Sequence, residues 1–224
     1  MIKNILNLGD AALYCDFGNE VNKETNSRVI RYFKNLREKN IEGINNLTPS
    51  YNKLIISFDL KHTNFGKIKK IIENLSPNDS KSEPSKKLEI PVCCSETFSL
   101  DIERLEIKLS LKREKIYENF FNKEYFCYMT GFIAGMPFLG DLDQRLRVKR
   151  LETPRVKVPK GAVGLTEQFA NIYTFDSPGG WNIIGNTPNK IFNEKKEKNP
   201  NLINPGDTVI FKEISFENYK KFNE

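Results

Sequence analysis

The sequence predicts an α+β protein in two parts, a small N-terminal α/β-sandwich-like domain and a C-terminal β-barrel. Three observations carry this. Before residue 76 the hydrophobic pattern alternates between periods of two and about 3.6 residues, in the order β-α-β-β-α. Residues 76–87 (SPNDSKSEPSKK) contain no apolar side chain and read as a linker. After Glu124 short apolar runs recur between Gly/Pro turns, the pattern of a closed or nearly closed barrel. The expected divisions are therefore 1–75, a linker at 76–87, and 88–224.

Each element follows from local pattern. Ile5–Phe17 is strand-like, interrupted by Gly9-Asp10. Thr25–Lys39 places Val29, Ile30, Phe33 and Leu36 on one helical face. Gly43–Asp59 reads as two strands around Thr48-Pro49-Ser50, with Leu54-Ile55-Ile56 at a buried centre. Gly66–Leu75 aligns Ile68, Ile71, Ile72 and Leu75 as a second helix. Leu88–Cys94 follows as a strand. Helices are expected at Asp101–Leu109 and at Leu111–Phe121, the latter N-capped by Ser110. Further strands are expected at Tyr125–Thr130, Val156–Val158, Ala162–Leu165, Ile172–Phe175, Trp181–Ile184 and Thr208–Ile214, and residues 195–199 as an exposed loop.

Composition narrows the function classes. Of 224 residues, 38% are hydrophobic and 29% charged, which fits a soluble globular protein. No apolar run approaches the roughly 20 residues of a membrane helix. The start, Met1-Ile2-Lys3-Asn4, has no secretory hydrophobic stretch, so a cytoplasmic location and no membrane partner are expected. The net charge of +6 comes from lysines scattered among Asn and Glu, without an arginine-rich arm or nucleic-acid motif, so no nucleic-acid partner is expected. Cys15, Cys93, Cys94 and Cys127 form no C-x-x-C pair and read as reduced, mostly buried thiols. His62, the single histidine, reads as a surface residue; no metal site is expected.

The chemistry concentrates in three blocks: Gly131–Gly140; Arg150-Leu151-Glu152-Thr153-Pro154-Arg155 continuing to Val158-Pro159-Lys160-Gly161; and Ile172-Tyr173 with Ser177-Pro178-Gly179-Gly180-Trp181 and Gly185-Asn186-Thr187-Pro188. Arg150 and Arg155 are candidate catalytic residues, because a guanidinium grips phosphate or carboxylate through two N–H groups. They read equally well as partners of Glu152 or Asp143. Gly161, Pro178, Gly179, Gly180 and Trp181 are candidate substrate- or ATP-binding residues. Glycine N–H groups can cradle an anion and Trp181 can wall a pocket, or they form a tight turn and barrel core.

In this order the blocks resemble the KipI/PxpB family, also known as allophanate hydrolase subunit 1 or the carboxyltransferase domain, which includes the B subunit of 5-oxoprolinase. Gly9-Asp10-Ala11-Ala12, Pro49-Ser50-Tyr51-Asn52 and Ile90-Pro91-Val92 extend the resemblance over nearly the whole chain. It implies a cyclophilin-like barrel and a non-autonomous subunit of a hetero-oligomeric, ATP-dependent lactam hydrolase. In that assembly the homologous C subunit and the A subunit of 5-oxoprolinase are partners, and together they convert 5-oxoproline to glutamate. ATP, with Mg, would be shared with a partner subunit. No G-x-x-x-x-G-K-[ST] is present, so no P-loop would bind it. The resemblance leaves open a KipI-like regulator that inhibits a sensor histidine kinase, and a catalytically degenerate paralogue. Two departures bear on that choice. Phe120 stands where family members carry His. Phe169, followed by Ala170-Asn171, stands where they carry Gln-Thr-Gly, with Gln168 one place early.

Overall fold

The structure, a computed structural model, describes residues 2–75 and 85–222. The chain divides into two compact units, Met1–Pro84 and Ser85–Glu224. Of the expected linker, residues 76–84 lie outside the described residues, while Lys87 opens the first strand of the second unit.

In the first unit, β1 (Asn4–Asn7), β2 (Ala12–Asp16), β3 (Ile44–Pro49) and β4 (Lys53–Phe58) form an antiparallel sheet in the order β1-β2-β4-β3. Gly9, at φ +66, makes the turn between the first two strands. The second hairpin turns after Pro49 rather than at it, since Thr48 and Pro49 pair with Ile55 and Leu54. An edge position tolerates this proline, which has no N–H to give. Helix α1 (Lys23–Lys39) begins two residues earlier than the apolar periodicity, because Asn22 caps it by accepting from Thr25 N–H at 2.9 Å. Helix α2 (Phe65–Glu73) is capped the same way by Asn64. The core joins Leu13, Cys15, Leu54 and Ile56 to Val29, Leu36, Ile68 and Ile72, all essentially inaccessible.

The second unit is a closed seven-stranded barrel, as the strand spacing predicts. Its strands are β5 (Lys87–Cys93), β6 (Glu124–Thr130), β7 (Pro137–Gly140), β9 (Ala162–Thr166), β10 (Phe169–Ile172), β12 (Asn182–Asn186) and β13 (Thr208–Ile214). They run in the order β10-β7-β6-β13-β5-β12-β9, closed by β9 against β10, and only β13 with β5 is parallel. Two further strands, β8 (Arg155–Val158) and β11 (Ser177–Gly179), form a separate antiparallel pair. Helices α3 (Ile102–Leu109), α4 (Arg113–Phe121) and α5 (Phe216–Lys221) complete the unit.

Several local expectations are revised. Ser110 is the left-handed C-cap of α3 (φ 53), not an N-cap. The first turn of α4 is instead met by Glu106, which accepts from Arg113 N–H at 2.9 Å. Pro137–Gly140, not among the expected strands, is a barrel strand whose four residues are all buried. The strand expected at Ile172–Phe175 lies three residues earlier, because pairing with β7 ends at Asn171 and with β9 at Ile172. The barrel interior is filled by Ile90, Val92, Tyr125, Leu139, Val163, Leu165, Ala170, Ile172 and Phe211, with α3 and α4 adding Leu105, Ile116 and Phe120. His62 is exposed and contacts Asp59 at 3.1 Å, and Cys15, Cys93 and Cys127 are buried thiols. No described helix is long and apolar enough to cross a membrane.

Candidate functional site

The site lies on the outer side of the barrel wall, at β10 and at β12, which the Asp101 side chain ties to Arg155 of β8. Side chains on a strand alternate between faces. Ala170 and Ile172 of β10 enter the barrel core, which leaves Phe169 and Asn171 on the opposite face. Both are nonetheless buried, at 8% and 0% exposure. Around them sit Phe138, with its ring 5.6 Å from Trp181 and 6.4 Å from Phe169, and the buried Met136. The outer face of this wall is therefore a second, partly polar core.

Arg155 is held from an unexpected quarter. Asp101 precedes α3 at the position from which a carboxylate ordinarily caps a helix, yet it makes no cap bond. Its Oδ1 accepts from Arg155 Nη2 at 2.6 Å and its Oδ2 accepts from the Ile183 N–H at 2.7 Å. Both oxygens of a carboxylate only 4% exposed are thus used to tie helix, barrel strand and β8 together. Neither carboxylate anticipated from the sequence takes this role: Asp143 pairs with Arg145 at 2.8 Å, which holds its carboxyl far below the usual range. Arg155 Nη1 is buried with no hydrogen-bond partner.

Arg150 is exposed and stacks 5.7 Å over the Trp181 ring, a cation–π contact. It has no ion pair among the described residues. Its backbone is fixed on both sides. Asn182, fully buried, donates to the carbonyls of Lys149 and Leu165 at 3.2 and 3.1 Å, and accepts from Arg104. Leu151 N–H donates to Gly180 O at 2.7 Å.

The glycine-rich segment splits into distinct roles. Gly179 belongs to β11, and a Cβ there would overlap the Tyr173 phenol. Gly180 has ordinary clearance, with its nearest prospective neighbours at 3.6 Å. Gly161 has φ +81 and packs against the Asn186 side chain and the Thr187 carbonyl. It supports the barrel rim, bonding Tyr173 O and Thr187 N–H through its backbone. Pro178 is exposed and Trp181 is 4% exposed. Arg150, Arg155, Gly179 and Trp181 thus converge, and Gly161 and Pro178 stand at the margins.

Their meeting point is Tyr173, which sequence reasoning did not single out as functional. Burial raises its pKa. The Asn171 amide, the Trp181 backbone N–H and the charges of Arg150 and Arg155 oppose that shift. The phenol therefore stays protonated near neutral pH, with the positive charges of Arg150 and Arg155 within electrostatic range. Asp101 and Asn171 were also missed. Asp101 reads from sequence as the first residue of a helix, and Asn171 falls just before the strand expected at Ile172–Phe175. Among the described residues no cluster of three His, Cys, Asp or Glu could hold a metal ion.

A family described as carboxyltransferase domain, subdomain C and D, matches residues 3–203. The chain belongs to that family. Similar proteins include the B subunit of 5-oxoprolinase from Bacillus subtilis (strain 168), 32% identical over 97% of this chain and 95% of its own length. A solved protein designated TTHA0988 superposes with a TM-score of 0.82 at 29% identity over 92% of this chain, which spans only 40% of that longer protein. The urea amidolyase of K. lactis shares the fold, with a TM-score of 0.74 at 18% identity over 94% of this chain and 15% of its own. The family resemblance carried by the Gly131–Gly140, Arg150–Arg155 and Ser177–Trp181 blocks is borne out, as is the α+β architecture with a barrel.

Proposed function

We propose that this chain is the B subunit of an ATP-dependent 5-oxoprolinase, which opens 5-oxoproline to glutamate together with the homologous C subunit and the A subunit. The observation that carries the reading is the 32% identity to the corresponding B. subtilis protein, which runs through almost the full length of both chains.

The site chemistry is compatible with that task. A lactam is a poor electrophile, and phosphorylation of its carbonyl oxygen turns that oxygen into a leaving group. Such a transfer needs fixed positive charge around developing anionic oxygens. The buried, unpartnered Arg155 Nη1 fits an anionic oxygen, and the unpaired Arg150 guanidinium fits a second. In this reading Asp101 keeps Arg155 aimed, so that no reorientation is needed when the anion arrives. Arg150, standing at the surface on the Trp181 ring, is the group that would meet ATP, with Mg, delivered by a partner subunit. The Gly179 backbone is engaged with β8 and so does not wrap the phosphates in this reading.

The test is co-expression with the cognate C and A subunits and measurement of ATP-dependent glutamate release from 5-oxoproline. Release is expected, and the Arg150→Ala/Arg155→Ala double variant should lose it. Full activity in the double variant would remove the two arginines from the site. If the assembled complex releases no glutamate, and the chain instead suppresses autophosphorylation of a sensor histidine kinase without partner subunits, the regulatory alternative replaces this reading.

A further inference from the structure

A hollow of about 480 Å³ opens in the second unit, lined by Arg147, Val148, Lys149, Glu167 and Gln168. It shares no residue with the site described above. Two stretches of chain form it. In the first, Arg147 has an extended backbone (φ −71, ψ 117) and Val148 packs against the barrel core, while Arg147 and Lys149 on either side of it are exposed. This is the alternation of an extended chain, and it sends both cations the same way. The second stretch is the two-residue turn Glu167-Gln168 between β9 and β10, where Thr166 pairs with Phe169. The two stretches are tied together, since Val148 O accepts from Glu167 N–H at 2.7 Å and from Thr166 Oγ1 at 3.1 Å. Asn182 holds the Lys149 carbonyl at 3.2 Å, so the frame of the hollow is fixed backbone. Its charges are unpaired. Among the described residues, Arg147, Lys149, Glu167 and Gln168 have no ion pair and no side-chain hydrogen bond. Neighbouring Arg145, by contrast, is taken by Asp143 at 2.8 Å, and Arg150 lies on the Trp181 ring. Glu167 also stands at φ +47, a turn position that Gly or Asn fills without strain. Strain of this kind is concentrated where a side chain serves a ligand. Here it sets a carboxylate in one hollow with two cations and pairs it with neither.

We propose that this hollow binds an α-amino dicarboxylate. Two cations and one anion complement a ligand with two carboxylates and one ammonium. Arg147 takes one carboxylate through two N–H groups, Lys149 takes the other as a point charge, and Glu167 accepts from the ammonium. The Gln168 amide is a further donor and acceptor on the same lining. A nucleotide matches the lining less well. The Glu167 carboxylate repels its phosphates, and the hollow offers no aromatic ring on which a base could stack. A monocarboxylate leaves one cation unanswered. The three charged side chains are exposed, so each contact contributes about 3- to 10-fold in affinity, and a ligand of this size binds with a Kd of roughly 1 mM. Naming glutamate as the ligand rests on the 5-oxoprolinase reading, in which glutamate is the product; the charge pattern does not. On that reading the subunit holds product at a place separate from Arg155.

The test titrates the full chain, without partner subunits, by ligand-detected NMR. The probes are L-glutamate, glutarate, which lacks the ammonium, and Mg·ADP. Wild type should bind glutamate about 3- to 10-fold more tightly than glutarate. Arg147→Met and Lys149→Met should each weaken glutamate by about 3- to 10-fold. Glu167→Gln should bring glutamate and glutarate to the same affinity, a change of ratio that a general disturbance of the fold does not produce. Wild type that binds glutamate no better than glutarate overturns the proposal. So does glutamate binding left unchanged in the Arg147→Met/Lys149→Met double variant. Mg·ADP binding that is tighter than glutamate binding and is lost in the same double variant replaces the amino acid with a nucleotide, and the proposal falls. If the co-expressed complex releases glutamate from 5-oxoproline while the chain fails these tests, the hollow loses its ligand and the 5-oxoprolinase reading stands. Glutamate binding that follows the three variants, in a chain whose complex releases none, keeps the site and removes its connection to the product.

Discussion

Replacing Asp101 with alanine should cost more than any change at the exposed Arg150. The side chain makes two bonds, 2.6 Å to Arg155 and 2.7 Å to the Ile183 N–H, and is only 4% exposed. Breaking a fully buried ion pair from one side costs about 3–5 kcal/mol. Arg155 is 27% exposed, so water partly recovers its charge and about 2 kcal/mol is the better figure for the pair. The stranded Ile183 N–H adds about 1–3 kcal/mol. The expected loss is therefore about 3–5 kcal/mol, whereas Asp101→Asn, which can still accept from Ile183, should lose about 1–2 kcal/mol. Trp181 is the only tryptophan and lies in the barrel unit beside this network, so its fluorescence in a urea titration follows that unit alone. A cycle with Arg155→Ala isolates the pair and should give a coupling energy of about 1.5–3 kcal/mol. If Asp101→Ala unfolds within about 0.5 kcal/mol of wild type, or the cycle shows no coupling, the network does not hold Arg155 in place and the argument for a pre-aimed guanidinium falls with it.

The two adjacent glycines of the β11 segment should behave differently: Gly179→Ala should destabilise the barrel by about 2 kcal/mol or more through overlap with the Tyr173 phenol, while Gly180→Ala, with ordinary clearance, should stay within about 1 kcal/mol, again read by Trp181 in urea. Equal effects at both positions would contradict the packing described. Burial pushes the Cys15 thiol up to about 12 from an ordinary 9.0. The unfolded chain therefore ionises first, so this contribution is intact below about pH 9 and is lost as pH rises toward 12. Stability measured between pH 8 and 11 should fall more steeply for wild type than for Cys15→Ala, and parallel slopes would remove Cys15 as a cause.

The fold was legible where one physical signal dominated. The helix at Lys23–Lys39 announces itself by its apolar stripe and the barrel by its evenly punctuated strands. What the pattern hid was governed by tertiary contacts. Pro137–Gly140 gives no strand signal of its own, with two apolar residues between a Pro and a Gly, yet pairing with β6 and β10 on either side makes it a strand. Ser110 has the right chemistry for a cap, but Glu106 reaches the first turn of α4 and Ser110 closes α3 instead. In the site, Arg150, Arg155 and the Gly179–Trp181 segment stand out by composition. Asp101, Asn171 and Tyr173 do not, since their importance arises from neighbours 54, 7 and 6 residues away in the chain, at Arg155, Gly164 and Gly179.

The two family departures also have different physical meanings. Phe120 is completely buried in a cluster with Tyr125 and Phe211, ring centroids 5.3 and 4.8 Å away, and Tyr125 donates to the Phe120 carbonyl at 2.9 Å. A phenylalanine there stabilises the barrel core by about 1.5–3 kcal/mol of apolar burial and lies on the side of the wall away from the arginines. Its arrival removes an imidazole from the core, not from the Arg155 site. Phe169 does face that site, packing edge-on against Tyr128 and Phe138. It adds an apolar neighbour beside Asn171, and a drier surrounding strengthens any hydrogen bond the carboxamide makes while raising the cost of leaving it unmade. The substitution that looked like a loss of polar chemistry thus leaves the buried Asn171 carboxamide on that face, and the proposed activity turns on Arg150 and Arg155, the arginines of the candidate site, rather than on Phe120.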